Sequence, residues 1–202
     1  MKLARTLAFG LCLALLAACA GNDLADPPAN LGDFGLGLNI AVADNMQKVP
    51  ISRDASVEEW EAAMIKAVDD RFGRYQGSRL FNIGINIDAF ALAPPGIPVV
   101  VSPKSVLVIT ANIWDDAKGL KLNPEGKRFT IFEGLSGDTV IGSGLTKSKA
   151  QQMATLSYNA VKAVEGWLLE NPAWFGLPDT AAETAAAAPA PPRDWPATEP
   201  DN

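Results

Sequence analysis

From Phe81 to Asp88 the chain alternates without a break. Phe81, Ile83, Ile85 and Ile87 are apolar, and Asn82, Gly84, Asn86 and Asp88 are small or polar. A period of two is the spacing of a strand with one buried face. This stretch therefore commits the chain to a sheet that needs a cover on one side. Two segments with helical spacing can supply it. The first opens at Ser56 and Glu59, a capping-box pair, and repeats Trp60, Met64, Val68 and Phe72, with Val57, Ile65 and Ala67 widening the stripe. The second runs from about Ser148, with Gln151 as its capping partner, to Glu170. Its stripe is Met153, Leu156, Ala160, Val164 and Trp167, and Pro172 closes it.

Further strands read on either side. Leu36, Leu38, Ile40 and Val42 alternate with Gly37, Asn39 and Ala41. Val106 to Trp114 is apolar on both faces for most of its length, as a central strand would be. Residues 93–98 form a Pro-rich loop, and 122–126 turn the chain. Arg128 to Glu133 make another strand, and Ser136, Gly137 and Asp138 form a hairpin turn into Thr139–Ile141. The order β-α-β-β-β-β-α predicts an α+β two-layer sandwich, a mostly antiparallel sheet with two helices on one face. Gly142 and Gly144 resemble a fragment of a phosphate loop. The remaining glycines and the Lys-Ser/Thr of a P-loop are missing, so a strand-to-helix turn is the expected role.

The N-terminus is of a different kind. Residues 1–18 combine Lys2 and Arg5, an apolar run from Leu7 to Leu16, and small Ala17 and Ala18. A run of about ten residues is too short to span a ~30 Å hydrocarbon core, so this is a secretory signal. Leu16-Ala17-Ala18-Cys19 resembles the bacterial lipobox, whose Cys thiol takes a diacylglyceryl group and becomes the new N-terminus. The alternative is an ordinary signal cleaved near Ala18 or Ala20, with Cys19 incidental. Lipidation at Cys19 would attach several acyl chains, palmitate among them. At ~0.8 kcal/mol per buried methylene, more than one chain makes anchoring durable. Ala20 stands where an aspartate would favour inner-membrane retention in the lipoprotein sorting rule. That points to the outer membrane, facing the periplasm. Cys12 leaves with the signal, so no intramolecular disulfide is possible and the core alone must hold the fold. Residues 19–35, rich in Gly and Pro, read as a flexible tether. Residues 179–202, with four consecutive alanines and five prolines, read as a disordered tail. Trp195 is the tail's one large apolar residue, a candidate docking segment on an otherwise inert stretch. The folded domain is then 36–178.

Composition removes several chemistries. There is no histidine in the 202 residues, which excludes a Ser-His-Asp triad and an HExxH zinc site. Neither Lys2 nor Arg5 survives processing, and no acidic residue lies in 1–18. The mature chain thus carries 15 basic and 23 acidic residues, net −8. With no basic run, nucleic acid and direct adsorption to anionic lipid are poor partners. An acylated Cys19 cannot act as a thiolate. Thr146, Lys147, Ser148 and Lys149 set hydroxyls beside lysines, and Ser157-Tyr158-Asn159 resembles one motif of penicillin-binding enzymes. The companion motifs are missing and the domain is too short for that fold. Asp115, Asp116 and Glu125 lie at the two ends of one turn, with Glu133 and Asp138 nearby. They would suit an oxygen-ligand Ca²⁺ site or an acid/base pair. The calcium-loop spacing is absent and Lys118, Lys121 and Lys127 interleave, so a solvated turn is the expected role. Changing the three to Asn, Asn and Gln would then shift stability by no more than about 1 kcal/mol.

From Ile113 to Phe175 the sequence resembles an uncharacterised family of short lipoproteins from alphaproteobacteria. The residues that carry the resemblance are Leu122-Asn123-Pro124, Phe132-Glu133-Gly134, Gly142-Ser143-Gly144-Leu145, Asn159, Trp167-Leu168 and Asn171 to Phe175. It implies a lipid anchor on a small α+β domain and brings no catalytic residues. More loosely, the element order is similar to small envelope domains of curli-secretion and penicillin-binding-protein activator lipoproteins, a fold-level analogy. The expectation is a lipid-anchored binding or assembly module with an envelope protein as partner, without cofactor or metal. The rival is an enzyme or small-ligand binder using Asp115, Asp116 and Glu125. A deep pocket lined by those carboxylates would favour the rival, and a shallow surface with an exposed strand edge the module.

Overall fold

The computed structural model describes residues 23–95, 105–133 and 147–178. Its elements are β1 (Phe34–Val42), β2 (Gln47–Lys48), α1 (Val57–Phe72), β3 (Arg79–Ala91), β4 (Val106–Asp115), β5 (Leu120–Lys121), β6 (Lys127–Phe132) and α2 (Lys149–Leu169). The fold is α+β, a mixed six-stranded sheet with both helices on one face. Strand β3 is central. It pairs in parallel with β1 and β2 and antiparallel with β4, and β4 carries β5 and β6 antiparallel on its far side. The β1–β3 pairing is parallel because α1 intervenes; a parallel pair needs a crossover connection, and a helix is the usual one.

Both helices start where the sequence places them. Ser56 and Ser148 each accept a backbone N–H from the residue three positions on, and Glu59 and Gln151 return the bond. Trp60, Met64, Val68 and Phe72 are buried against Phe81, Ile83, Ile85 and Ile87, as the two periodicities require. Leu107, Ile109, Ala111 and Ile113 complete that face on β4, under Met153, Leu156, Ala160, Val164 and Leu168 of α2. Each such Val, Leu, Ile, Phe or Met side chain contributes about 1.5–3 kcal/mol when fully removed from water. Trp60 packs on Phe90 with ring centroids 5.3 Å apart, and Trp167 meets Trp174 edge-on at the same distance. The helical tryptophans are core, as their stripe position predicts.

Asn123 explains how the sheet survives a gap. Among the described residues no strand flanks β4 between β5 and β6. The Asn123 side chain fills in: Oδ1 accepts from Ile113 N (3.0 Å), and Nδ2 donates to Ala111 O (3.2 Å) and Glu125 O (2.7 Å). A buried backbone group left alone would cost about 1–3 kcal/mol.

The segment expected as a tether behaves differently wherever it is described. Asp23 and Leu24 are half-buried, residues 25–30 are exposed, and β1 begins at Phe34, two residues before the expected boundary. Leu31 and Phe34 are fully buried. The Phe34 ring stacks on Phe81 at 5.3 Å and meets Phe72, Tyr75 and Phe175 within 5.7 Å. The reason is the aromatic pocket at this end of the sheet. Without Phe34, the rings of Phe72, Phe81 and Phe175 would face a void. Residues 19–22, the expected strand at 139–141, the Gly142–Gly144 turn and the tail from 179 lie outside the described residues.

Candidate functional site: the uncovered sheet face

The helices cover one face of the sheet. The other face, uncovered among the described residues, displays Asn82, Gly84 and Asn86 of β3, Thr110, Asn112 and Trp114 of β4, and Arg128, Thr130 and Phe132 of β6. Its rim is set by a slip in β1. Leu36 pairs with Phe81 and Asn39 with Ile83, so β1 spends three residues where β3 spends two. Because side chains alternate, one extra residue inverts every later position. Asn39 and Ala41 therefore face α1, and Asn39 Nδ2 donates to Ile65 O and to Asp69, each at 2.9 Å. Leu38, Ile40 and Val42 face outward at 60, 51 and 37% exposure.

Local chemistry holds the bulge. Leu38 N donates to Asn82 Oδ1 at 2.6 Å, a side-chain bond in place of a lost ladder bond. A Cβ at position 37 would sit 2.4 Å from that same oxygen, so a side chain there would push Asn82 off its bond to the bulge. Across the sheet, a Cβ at position 84 would come within 3.0 Å of the Trp114 ring, so Gly84 lets the indole lie flat on β3. Lys121 Nζ stands 6.0 Å from the centroid of that ring. The result is a shallow groove of about 460 Å³ between the β1 stripe and Trp114, floored by Asn82, Asn86 and Asn112. The floor is internally partnered. Asn82 donates to Asp116 (2.8 Å), Asn86 and Thr110 donate to Asp88 (2.5 and 2.7 Å), and Asn112 accepts from Asn123 (3.5 Å). What the face offers outward is its apolar stripe.

The turn carboxylates are placed otherwise than expected. Asp116 and Glu125 are exposed, as solvated turn residues should be. Asp115 is not solvated: it is 2% exposed at the end of β4, beside Arg79 Nη2 at 2.9 Å and Lys118 Nζ at 3.1 Å. Its position on the inward parity of β4 buries it, and the two cations neutralise it. A joint change of the three carboxylates therefore costs more than the small surface effect expected. Glu133 is also buried, paired with Lys147 at 3.0 Å beside the far end of β4. Among the described residues no three acidic or thiol side chains converge as metal ligands would. Asp138 and Cys19 lie outside the described residues.

Burial alone raises the Asp115 carboxyl, but hydrogen bonds from Lys118 and Arg79 outweigh it and hold the group below the usual aspartate range. A lowered folded value means stability is present above the unfolded value of about 3.9 and is lost as pH falls through the folded one. Urea unfolding followed against pH should thus show stability declining below about pH 4, and Asp115→Asn should make that decline shallower. Parallel slopes for the two proteins would disprove the assignment.

A second polar cluster gave no motif. Arg71, 2% exposed, donates to Glu165 and to Asp23, each at 2.6 Å, and its guanidinium lies 5.1 Å from the Tyr158 ring centroid. Tyr75 donates to Glu165 at 2.7 Å, and the Tyr158 hydroxyl and Lys162 Nζ (2.8 Å) also bind Asp23. Arg74 Nη1 donates to the carbonyls of Leu24 and Asp26 at 3.1 and 2.8 Å. At Asp23, burial pushes the carboxyl up, and the bonds from Lys162, Tyr158 and Arg71 together pull it well below the usual range. The available signal was positional. Arg71 and Glu165 interrupt the two apolar stripes at core-facing positions, where a lone charge is untenable and a pair is not.

No family model matches the chain, and no curated protein matches it in sequence. Among the solved structures similar to it is a candidate lipoprotein from Caulobacter crescentus, with 13% identity, TM-score 0.35, and 65% of this chain and 91% of that one covered. A Xanthomonas campestris protein of family model DUF330 is similar at 11% identity and TM-score 0.35, covering 68% of this chain and 88% of its own. The PelC dodecamer from Paraburkholderia phytofirmans is similar at 11% identity and TM-score 0.34, covering 65% and 88%. Likenesses this distant assign neither an activity nor a partner.

Proposed function

We propose that the chain is a lipid-anchored protein of the bacterial envelope, acylated at Cys19, whose domain is a binding or assembly module without catalysis of its own. Ala20 favours the outer membrane, facing the periplasm. The observation that carries the module reading is the β1 stripe. A bulge turns Leu38, Ile40 and Val42 away from the helices and into water, beside a shallow groove. Contiguous exposed apolar side chains rimmed by polar ones mark association surfaces, and bulges commonly re-aim side chains. The partner is an envelope protein that covers this face. No helix among the described residues is long and apolar enough to cross a membrane, and in this reading the acyl chains serve as the anchor.

The two halves of the proposal are tested in one strain. A clickable fatty acid should label the wild-type chain and not Cys19→Ser, which should accumulate as precursor. Ile40→Lys should alter stability by about 0.5 kcal/mol or less, as exposed substitutions do. It should nevertheless abolish crosslinking of the domain to its partner in intact cells. Equal labelling of Cys19→Ser refutes the anchor; an unchanged crosslinking pattern in Ile40→Lys refutes the face.

A further inference from the structure

Cys19 and Asp23 are four residues apart, and Asp23 does not hang free. It is gripped by Arg71 of α1 and by Tyr158 and Lys162 of α2, while Arg74 holds the carbonyls of Leu24 and Asp26. Leu24 lies at a groove of about 400 Å³ on the outer side of the helical layer, between α1 and α2. Its floor is Ala63, Ala67, Ala154 and Met153. The charges on its rim cancel in pairs, Lys66 with Asp70 at 2.6 Å and Lys149 with Glu59 at 2.5 Å.

We propose that this clamp turns the lipid anchor into an orienting device: the outer face of α1 and α2 rests on the bilayer that holds Cys19, and the uncovered sheet face points away from it. The inference rests on acylation of Cys19. Four residues reach at most roughly 14 Å even when fully extended, so a lipid at Cys19 brings the helical groove to the headgroup region. The sheet's open face is further off by a helix layer about 10 Å thick and by the sheet itself. The groove's chemistry suits that contact. An apolar floor with self-neutralised rim charges fits a zwitterionic headgroup interface, where no net charge need be matched. A long flexible tether would have left the domain free to tumble; the clamp removes that freedom. The partner-binding stripe on β1 is thereby presented to the periplasm.

The test uses the mature, lipidated full chain in phosphatidylcholine vesicles that carry a nitroxide on their headgroups. Acylation leaves no free thiol, so Ala154→Cys in the groove and Thr130→Cys on the open face each accept one fluorophore. Flotation with the vesicles comes first; failure to float overturns the anchor and this inference with it. Given flotation, the label at position 154 should be quenched several-fold more than the label at 130. Asp23→Ala should bring the two towards equality. A long Gly/Ser insertion between Asn22 and Asp23, which leaves the clamp intact, should do the same by lengthening the leash. Equal quenching of the two labels in the unmodified chain overturns the orientation while leaving the anchor standing. So does a difference that persists through both changes.

Discussion

A fragment spanning residues 36–178 should be less stable than one spanning 23–178 by more than about 3–5 kcal/mol, the usual cost of truncating a single buried phenylalanine. The shorter fragment loses all of Phe34, whose ring touches Phe72, Tyr75, Phe81 and Phe175. It also loses the buried side chain of Leu31 and the first turns of the strap held by Arg71 and Arg74. The Asp33 carboxylate, which accepts from Ser78 N and Oγ at 2.6 and 2.7 Å, goes too. Domains of this size keep only about 5–15 kcal/mol in total, so the fragment from 36 should sit near the edge of cooperative folding. Urea midpoints of the two fragments, with Phe34→Ala in the longer one as an intermediate point, measure the difference. Coincident curves would show that residues 23–35 are a tether after all.

Replacing Arg71 by Ala should cost about 3–5 kcal/mol, because it removes one side of a buried ion pair and leaves the other uncompensated. Glu165 would keep the Tyr75 hydroxyl and a distant Arg74, 3.9 Å away, against a cavity where the guanidinium lay. Burial first, and then the bond to Glu165, push the Tyr75 phenol well above its ordinary range, so it remains a neutral donor at any working pH. The control is to remove the whole network. Arg71→Met, Glu165→Leu and Tyr75→Phe together should recover much of the loss, since apolar replacements of similar shape leave no orphaned polar atom. Chemical denaturation of the single and triple variants decides it. A loss below about 1 kcal/mol for Arg71→Ala would mean that the cluster is solvated and holds Asp23 weakly.

The parts of this protein that were legible in the sequence are those set by local rules. The helix starts at Ser56 and Ser148 depend on residues three positions apart, and the β3 alternation depends on neighbours two apart. Both survive any arrangement of the rest of the chain, and from them the α+β class with helices on one face follows. The proposed export and acylation at Cys19 rest likewise on a short contiguous stretch, residues 1–19. Three features belong to the tertiary structure alone. The Arg71–Glu165 pair joins residues 94 positions apart; their places on the two stripes imply that each needs a partner, and only the packing of the helices makes them each other's. Asp115 looked like a turn residue beside three lysines, yet strand parity set it inward, and Arg79, from the start of β3, neutralises it. The β1 stripe is the clearest case. Leu38, Ile40 and Val42 carry the same alternation as Ile83, Ile85 and Ile87, but one extra residue in β1, visible only against the register of β3, turns the first set to water and leaves the second in the core. Periodicity reports that a strand has two unlike faces; only pairing with its neighbour decides which of them is covered.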